Sequence, residues 1–134
     1  MEKTIGQLKK IAWKLFSEWI RRRYADHRGF VRCVTCGAVK HWKCGDAGHF
    51  LPGRNNSILF DERGVHFQCK QCNGHFRVGT TVPDVDKKYK EFMLKEYGPE
   101  VVKELRRNKT KTKKFSRQEL ENLIAELKQK ISTL

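Results

Sequence analysis

The sequence has no long apolar run. No stretch of about 18 consecutive apolar residues occurs in the 134-residue chain, which predicts that no segment spans a membrane. The first seven residues lack the apolar centre of a secretory signal, so we expect a protein of the cytoplasm, where thiols stay reduced. The length suits one modest domain with added helices.

Acidic residues are also scarce relative to basic ones. The sequence has 15 Asp and Glu against 29 Lys and Arg, which gives a net charge of +14. Such an imbalance is typical of proteins that bind nucleic acid. A merely soluble basic surface is the plain alternative. An anionic membrane surface is a weaker one, because no basic helix has a clean apolar side for lipid.

The five cysteines are few, but four of them form two pairs. Cys33 and Cys36 make one CxxC motif, and Cys69 and Cys72 make the second. Two such pairs separated by a few tens of residues are a strong signature of a tetrahedral zinc site. Four thiolates leave the metal no open position, so we predict a structural zinc. Cys44 is left over and is interpreted as a free thiol in a loop.

Helical periodicity flanks the zinc segment on both sides. Apolar residues at three- and four-residue steps predict helices over 4–25, 83–97 and 99–108. The basic linker 109–114 precedes a last helix that begins at a capping box, Ser116 to Glu119. The apolar stripe of that helix predicts a packing face, either within the chain or against a second copy.

These patterns divide the chain into four parts. They are an N-terminal helix (1–28), a zinc-braced core (29–80), a helical segment (81–108), and a basic linker with a C-terminal helix (109–134).

A histidine lies between the two cysteine pairs, and an asparagine directly follows the second. The segment Asp46-Ala-Gly-His49-Phe50 resembles the strand that carries the general base of HNH nucleases, also called ββα-metal or His-Me finger nucleases. Asn73 stands where those enzymes carry a ligand of the catalytic ion. Hydrolysis of a phosphodiester needs a base near neutral pKa and a hard cation. The alternative is that the cysteines brace a binding module and His49 is structural.

Four motifs in order resemble the phage NinG/Rap family of recombination endonucleases. They are CVTCG, DAGHF, VHFQCKQCN and YGPEVVKEL, and the closing segment FSRQELENLIAELKQKI is also similar. The resemblance implies a structure-selective DNA endonuclease that cleaves branched recombination intermediates, including Holliday junctions and D-loops, in the infected bacterial cytoplasm. It implies an α+β fold, with a zinc-braced ββα-metal core and N- and C-terminal helices. Mg²⁺ or Mn²⁺ is the implied catalytic ion.

The resemblance also implies roles for particular residues. His49 is the candidate general base, and Asn73 the candidate ion ligand. Asp46 is a second candidate ligand, although HNH proteins often place the acidic residue immediately before the histidine. His66 is a candidate ligand or phosphate contact. Gly64 stands where an asparagine commonly orients the catalytic histidine, which leaves the group that orients His49 open.

Basic side chains predicted to contact DNA fall into two groups. Arg54, Lys70 and Arg77 flank the proposed centre and are expected to hold the scissile phosphate. A second group is expected to contact more distant backbone: Arg21, Arg22, Arg23, Lys111, Lys113 and Lys114. His41 is interpreted as an ordinary surface residue, and a DNA contact beside Trp42 is the alternative.

Cutting both strands of a junction needs two active sites, so we expect a homodimer, with host recombination proteins as candidate partners. The C-terminal helix is a candidate dimer interface. Three alternatives remain at this stage: a non-catalytic, zinc-braced DNA-binding or recombination mediator protein, a sequence-specific HNH enzyme, and, as a distant third, a ribosomal-type zinc ribbon, in which the DAGHF segment has no purpose.

Overall fold

Helices from both ends of the chain enclose two small antiparallel sheets in a computed structural model that describes residues 2–74 and 84–134. The predicted α+β class is confirmed. Arg77, one of the predicted phosphate contacts, lies outside the described residues. Among the described residues, no helix is long and apolar enough to cross a membrane. The elements in chain order are α1 (Ile5–Arg22), β1 (Phe30–Arg32), β2 (Val39–His41), β3 (Gly45–His49), α2 (Asn56–Leu59), β4 (Val65–Cys69), α3 (Lys70–Asn73), α4 (Val85–Tyr97), α5 (Pro99–Lys109) and α6 (Arg117–Ser132).

The first and last helices pack side by side in parallel. Leu120 of α6 contacts the cluster that contains Leu8 of α1, and Leu127 contacts the cluster that contains Phe16 and Ile20. Leu120 is 0% exposed and Leu127 is 2% exposed. The apolar stripe of α6 is therefore covered within the chain, which decides between the two packing partners that its sequence allowed.

The caps of these two helices differ. At α1, Thr4 and Gln7 form a full capping box, in which each side chain accepts a hydrogen bond from the backbone N–H of the other residue. At α6, the Ser116 hydroxyl accepts from the Glu119 N–H at 3.1 Å, while the Glu119 carboxylate pairs with Lys113 at 2.8 Å. The sequence therefore predicts the start of α6 correctly, and the second half of the motif links the helix to the basic linker.

Strands β3 and β4 form a hairpin that runs directly into α3. The register pairs Gly45 with Cys69 and His49 with Val65. The residue types predict a turn over 43–46 and an extended segment over 49–51, but this prediction is wrong, since β3 begins at Gly45 and ends at His49. They also predict a short helix after Cys72, and the helix begins earlier, at Lys70.

Alternation along the hairpin sends side chains to two differently covered faces. Ala47 and Val65 face α1, where they pack with Phe16 and Ile20. The intervening residues face α4, and Tyr89 of that helix donates a hydrogen bond to the Gly48 carbonyl at 2.6 Å. The candidate site residues of β3 are divided between these two faces.

Candidate active site and metal centre

The four paired cysteines converge at one point. Their Sγ atoms all lie within 4.8 Å of one another, and Cys36 and Cys69 are 3.7 Å apart at sulfur. A tetrahedral zinc with Zn–S bonds of about 2.3 Å separates its sulfurs by about 3.8 Å, so these residues fit the metal. Cys44 is exposed and does not belong to the cluster.

Hydrogen bonds prepare one of these thiols to bind metal. Burial raises the pKa of Cys33, but hydrogen bonds from the Cys36 backbone, from Thr35 and from the Cys69 backbone outweigh that effect and lower its pKa to about 6. The Cys69 N–H donates to Cys33 Sγ at 3.3 Å. Burial raises the pKa of Cys69 and of Cys72. A thiolate at Cys33 is the form that a metal ion takes as a ligand.

His49 is the last residue of β3, and two groups hold its ring. The imidazole stacks on Trp13 of α1 with ring centroids 5.3 Å apart and planes 16° apart. Its Nε2 lies 3.2 Å from the Leu59 carbonyl oxygen. A carbonyl can only accept, so this contact places the hydrogen on Nε2 and leaves the lone pair on Nδ1. Leu59 and Trp13 thus supply the orientation that the sequence left open.

The environment of His49 favours the neutral imidazole. Burial is the largest influence and lowers its pKa, the hydrogen bond to Leu59 acts in the opposite direction, and the nearby Arg54 charge lowers it further. The net effect is a pKa below the ordinary histidine value. A neutral ring with its lone pair on Nδ1 is the protonation state of a general base.

Asp46 and Asn73 meet on the other face of the hairpin. The Asn73 amide donates to the Asp46 carboxylate at 3.1 Å, and Lys70 forms an ion pair with the same carboxylate. Asn73 is the last residue of α3, and Cys69 occupies the cap position at its start. Lys70 therefore partly neutralises Asp46, and its predicted phosphate contact competes with this pair.

Gln68 is a site residue that sequence reasoning missed. It is 3% exposed, and its amide nitrogen donates to the Thr35 hydroxyl at 3.4 Å. A Cβ atom built on Gly48 would overlap the Gln68 side chain and lie 3.0 Å from Asn73 Oδ1. The two amide groups therefore approach each other over Gly48. The sequence carries only a weak signal for this role, a glutamine between Phe67 and Cys69, and it is the structure that shows all five residues of β4 to be buried.

His49, Gln68 and Asn73 line one cleft, together with residues of the segment after β3 and of α4. His49 lines this cleft because it is the last residue of β3, and its ring also stacks on Trp13 of α1. Amide and carboxylate oxygens from Gln68, Asn73 and Asp46 are the ligand types that Mg²⁺ and Mn²⁺ prefer. His49 therefore lines the same cleft as two of these oxygen ligands, Gln68 and Asn73, while Asp46 reaches the site through its hydrogen bond with Asn73.

His66 lies in the packed layer between β4 and α4. It is 4% exposed, and its ring nitrogens lie 2.9 Å from the Tyr97 hydroxyl and 3.4 Å from the Tyr89 hydroxyl. Burial, followed by the charge of Arg23, lowers its pKa to about 3. These contacts explain His66 as a buried polar link between two elements.

The predicted DNA-binding residues occupy three different environments. Arg54 is exposed and places its guanidinium carbon 4.3 Å from the Trp13 ring centroid. Arg23 is engaged internally, since it donates to the carbonyls of Glu62 and Val65 at 3.0 and 2.9 Å. Arg21 and Arg22 lie over the Trp42 ring.

The basic linker lies against the loop that follows β3. The side-chain amides of Asn55 and Asn56 donate to the carbonyls of Lys109 and Lys113 at 3.0 and 3.1 Å. Lys111, Lys113 and Lys114 are exposed beside the loop that carries Arg54. This placement brings the linker to the His49 side of the molecule, nearer the proposed centre than we expected.

Comparison with known proteins matches the whole described chain to one family. The profile described as "Bacteriophage Lambda NinG protein" matches residues 2–134. The chain belongs to the NinG family. The resemblance read from the motifs is thereby confirmed at the level of the family.

Several phage proteins are similar to this NinG-family chain. Protein ninG of Escherichia phage lambda and that of Salmonella phage P22 are each 29% identical over 138 residues, covering 96% of this chain and 63% of the relative. Protein ninG of Escherichia phage 933W is also 29% identical and is covered to 64%. The chain thus spans less than two thirds of the length of these relatives. No solved structure matches it significantly.

Proposed function

We propose that this NinG-family protein is a metal-dependent DNA endonuclease of the HNH type that cleaves branched DNA such as Holliday junctions and D-loops. The observation that carries the proposal is the position of His49, held at the end of β3 by the Leu59 carbonyl and lining a cleft that Asn73 also lines. The succession of β3, β4 and α3 next to four metal-binding cysteines has the order of elements of a ββα-metal core.

In the proposed reaction, His49 is the general base. Its Nδ1 takes a proton from the water that attacks the phosphorus, the bond from phosphorus to one sugar oxygen breaks, and that oxygen takes a proton from solvent. Nε2–H stays hydrogen-bonded to the Leu59 carbonyl and so stabilises the imidazolium that forms. Arg54 is exposed near the same ring and binds the phosphate oxygens. Asn73 and Asp46, with Gln68 beside them, would hold a divalent ion. Such an ion supplies neutralisation of the phosphate charge.

The basic linker and Arg54 supply the DNA contacts that we assign to this face. Branched DNA differs from a linear duplex in shape, so contacts to phosphates are the expected means of recognition. We also propose that the protein cuts as a homodimer in the infected bacterial cytoplasm. A dimer interface has to lie outside the α6 stripe, because α1 already covers that stripe.

The proposal is tested with His49→Ala and a matched control, His27→Ala, which changes an exposed histidine. Each protein is incubated with a labelled four-way junction and with a linear duplex, in Mg²⁺, in Mn²⁺ and without added ion. Wild type and His27→Ala should cut the junction only with an ion. His49→Ala should bind it equally well and cut at least about a hundredfold more slowly.

Two results would favour the alternatives. Tight binding without cutting by wild type under every ion would indicate a non-catalytic DNA-binding or mediator protein. Cutting of the linear duplex at a consensus sequence would indicate a sequence-specific HNH enzyme.

A further inference from the structure

A second basic surface is built around Trp42, which follows β2 and lies against the end of α1. The guanidinium carbons of Arg21 and Arg22 lie 5.1 and 5.2 Å from the Trp42 ring centroid, and Lys43 Nζ lies 5.6 Å from it. The His41 ring is stacked on Trp42 with centroids 5.8 Å apart. Four basic side chains from two elements therefore converge on one aromatic ring.

The same surface continues onto β1. Arg28 places its guanidinium carbon 5.5 Å from the Phe30 ring centroid, and Phe30 packs edge-on against His41 at 5.8 Å. Arg22, Arg28, His41 and Trp42 line a common cleft. We call the set Arg21, Arg22, Arg28, His41, Trp42 and Lys43 the Trp42 surface.

The acidic residues Glu18, Asp26 and Asp46 lie near this surface and offset part of its positive charge. The Asp26 carboxylate accepts hydrogen bonds from the backbone N–H groups of Arg28 and Phe30, each at 2.9 Å, and so serves the turn before β1. Glu18 pairs with Arg22 at 2.9 Å. Within residues 2–74 and 84–134, neither Arg28 nor Lys43 forms an ion pair with an acidic side chain.

The helix dipole explains only part of this arrangement. Cations in the last turn of α1 are favoured by the dipole, which accounts for Arg21 and Arg22. It does not account for Lys43 and Arg28, which come from other segments, or for the aromatic rings between the cations. Arg21 Nε donates to the Ser17 carbonyl and hydroxyl at 3.1 Å, and Arg22 Nη1 pairs with Glu18, so a phosphate would take the remaining guanidinium donors. Cations interleaved with aromatic rings in a cleft are typical of sites that follow a nucleic-acid backbone.

We propose that the Trp42 surface is a second DNA-backbone site, separate from the His49 cleft, and that it binds duplex beyond the position of cleavage. Both sites contact α1, the first through Trp13 and the second through Arg21. These residues are eight positions apart, which corresponds to about 12 Å along the helix and is close to the width of about 12 Å of the major groove. The choice of DNA as ligand rests on the proposed function.

The test compares two double variants that remove the same charge. Arg22→Ala/Lys43→Ala changes the Trp42 surface, and Lys95→Ala/Lys128→Ala removes two exposed lysines from α4 and α6. Anisotropy of a labelled duplex and a labelled junction is measured over a range of salt concentrations without added Mg²⁺ or Mn²⁺, so affinity is read whether or not the protein cuts. Circular dichroism confirms that each variant is folded.

For the Trp42 surface variant we expect about a tenfold higher Kd and a slope of log K against log salt that is smaller by about 2, since each phosphate contact contributes about 0.9. The lysine control should change the slope by less than about 0.5. Equal affinities and slopes for the two variants would overturn the proposal. So would loss of binding to phosphatidylserine vesicles with unchanged DNA binding, which would indicate a membrane surface.

Trp42→Ala and Trp42→Phe provide a second pair of variants. The alanine variant should lose affinity because the cations are no longer held in place, and the phenylalanine variant should retain most of it. A reduced salt slope in a protein that cuts no DNA would leave this site standing while the nuclease proposal failed. If every variant cut the junction normally and bound DNA with unchanged affinity, the nuclease proposal would be supported and the Trp42 surface would be rejected as a DNA site.

Discussion

A single methyl group added at Gly48 tests how the candidate site is assembled. Gly48 pairs with His66 in the β3–β4 hairpin, and its carbonyl accepts a hydrogen bond from Tyr89. A Cβ atom at this position would overlap the side chain of Gln68 and lie 3.0 Å from Asn73 Oδ1. Gly48→Ala should therefore force Gln68 out of its place in the interior.

The size of the effect follows from what moves. Overpacking of a buried position lowers stability by about 1–3 kcal/mol. Loss of the long Gln68–Thr35 hydrogen bond, at 3.4 Å, adds up to about 1 kcal/mol. We therefore expect the free energy of unfolding to fall by about 1–4 kcal/mol, against a total of about 5–15 kcal/mol for ordinary domains.

Urea denaturation at neutral pH with zinc present measures this change, and Gly6→Ala is the matched control. A Cβ atom on Gly6 in α1 meets nothing closer than 3.8 Å. That variant should therefore be as stable as wild type, or more stable by up to about 1 kcal/mol from helix propensity.

A double-variant cycle with Gln68→Ala tests the cause. In the Gln68→Ala background the overlapping side chain is gone, so Gly48→Ala should lower stability by less than about 1 kcal/mol. A coupling energy above about 1 kcal/mol would identify Gln68 as the group that meets the added methyl. Equal losses in both backgrounds, or no loss in either, would refute the placement of Gln68 over Gly48.

Three further predictions concern the metal and the histidines. Cys36→Ser should abolish zinc binding, measured by elemental analysis, and should lower the melting temperature. Cys44→Ser should do neither, because Cys36 is one of the four clustered cysteines and Cys44 is not. Because the pKa of His66 is lowered to about 3, the folded state keeps this ring neutral. The contribution of His66 to the free energy of unfolding is complete above about pH 6.5. It is lost as the pH falls from there towards 3, by about 1.4 kcal/mol per pH unit. His66→Phe should flatten that slope in urea titrations at pH 7 and pH 5, and an unchanged slope would contradict the assignment. Because the pKa of His49 is also lowered, the rate of junction cutting should rise with pH and level off below the ordinary histidine value of about 6.5. An inflection above that value would rule out His49 as the titrating base.

The metal centre and the helices were predictable because their signals are local. The two CxxC pairs need only a few residues each to define their geometry, and the structure places all four sulfurs together. Helix α5 begins at Pro99 as predicted, because proline has its backbone angle fixed for a first helical turn. Periodicity also predicted the buried face of α1.

The start of β3 was misread because glycine and aspartate are common in turns. Gly45 instead belongs to the strand. The position takes a glycine because a Cβ atom there would overlap the Phe67 ring of the neighbouring strand. The local sequence does not show that a strand begins with glycine because a side chain would not fit there. The requirement comes from a partner more than twenty residues later in the chain.

The surroundings of His49 were not predictable for the same reason. Trp13 falls off the centre of the apolar stripe of α1, and the structure explains the deviation, since its ring stacks on His49. The Leu59 carbonyl is a backbone group and leaves no trace in the residue types. Gln68 was passed over as a polar residue in a short motif, while its role depends on Thr35, Gly48 and Asn73 together.

The pairing of α1 with α6 has a consequence for how the protein is made. The Arg117 guanidinium donates to the Lys3 carbonyl across 114 positions of the chain, so α1 is synthesised about a hundred residues before the helix that covers it. At about 5–20 residues per second, the apolar face of α1 waits several seconds on the ribosome before its cover emerges. Contacts of such long range also slow folding. Trp13, the ring on which His49 rests, is therefore synthesised long before Leu127 of the covering helix, which belongs to the same apolar cluster.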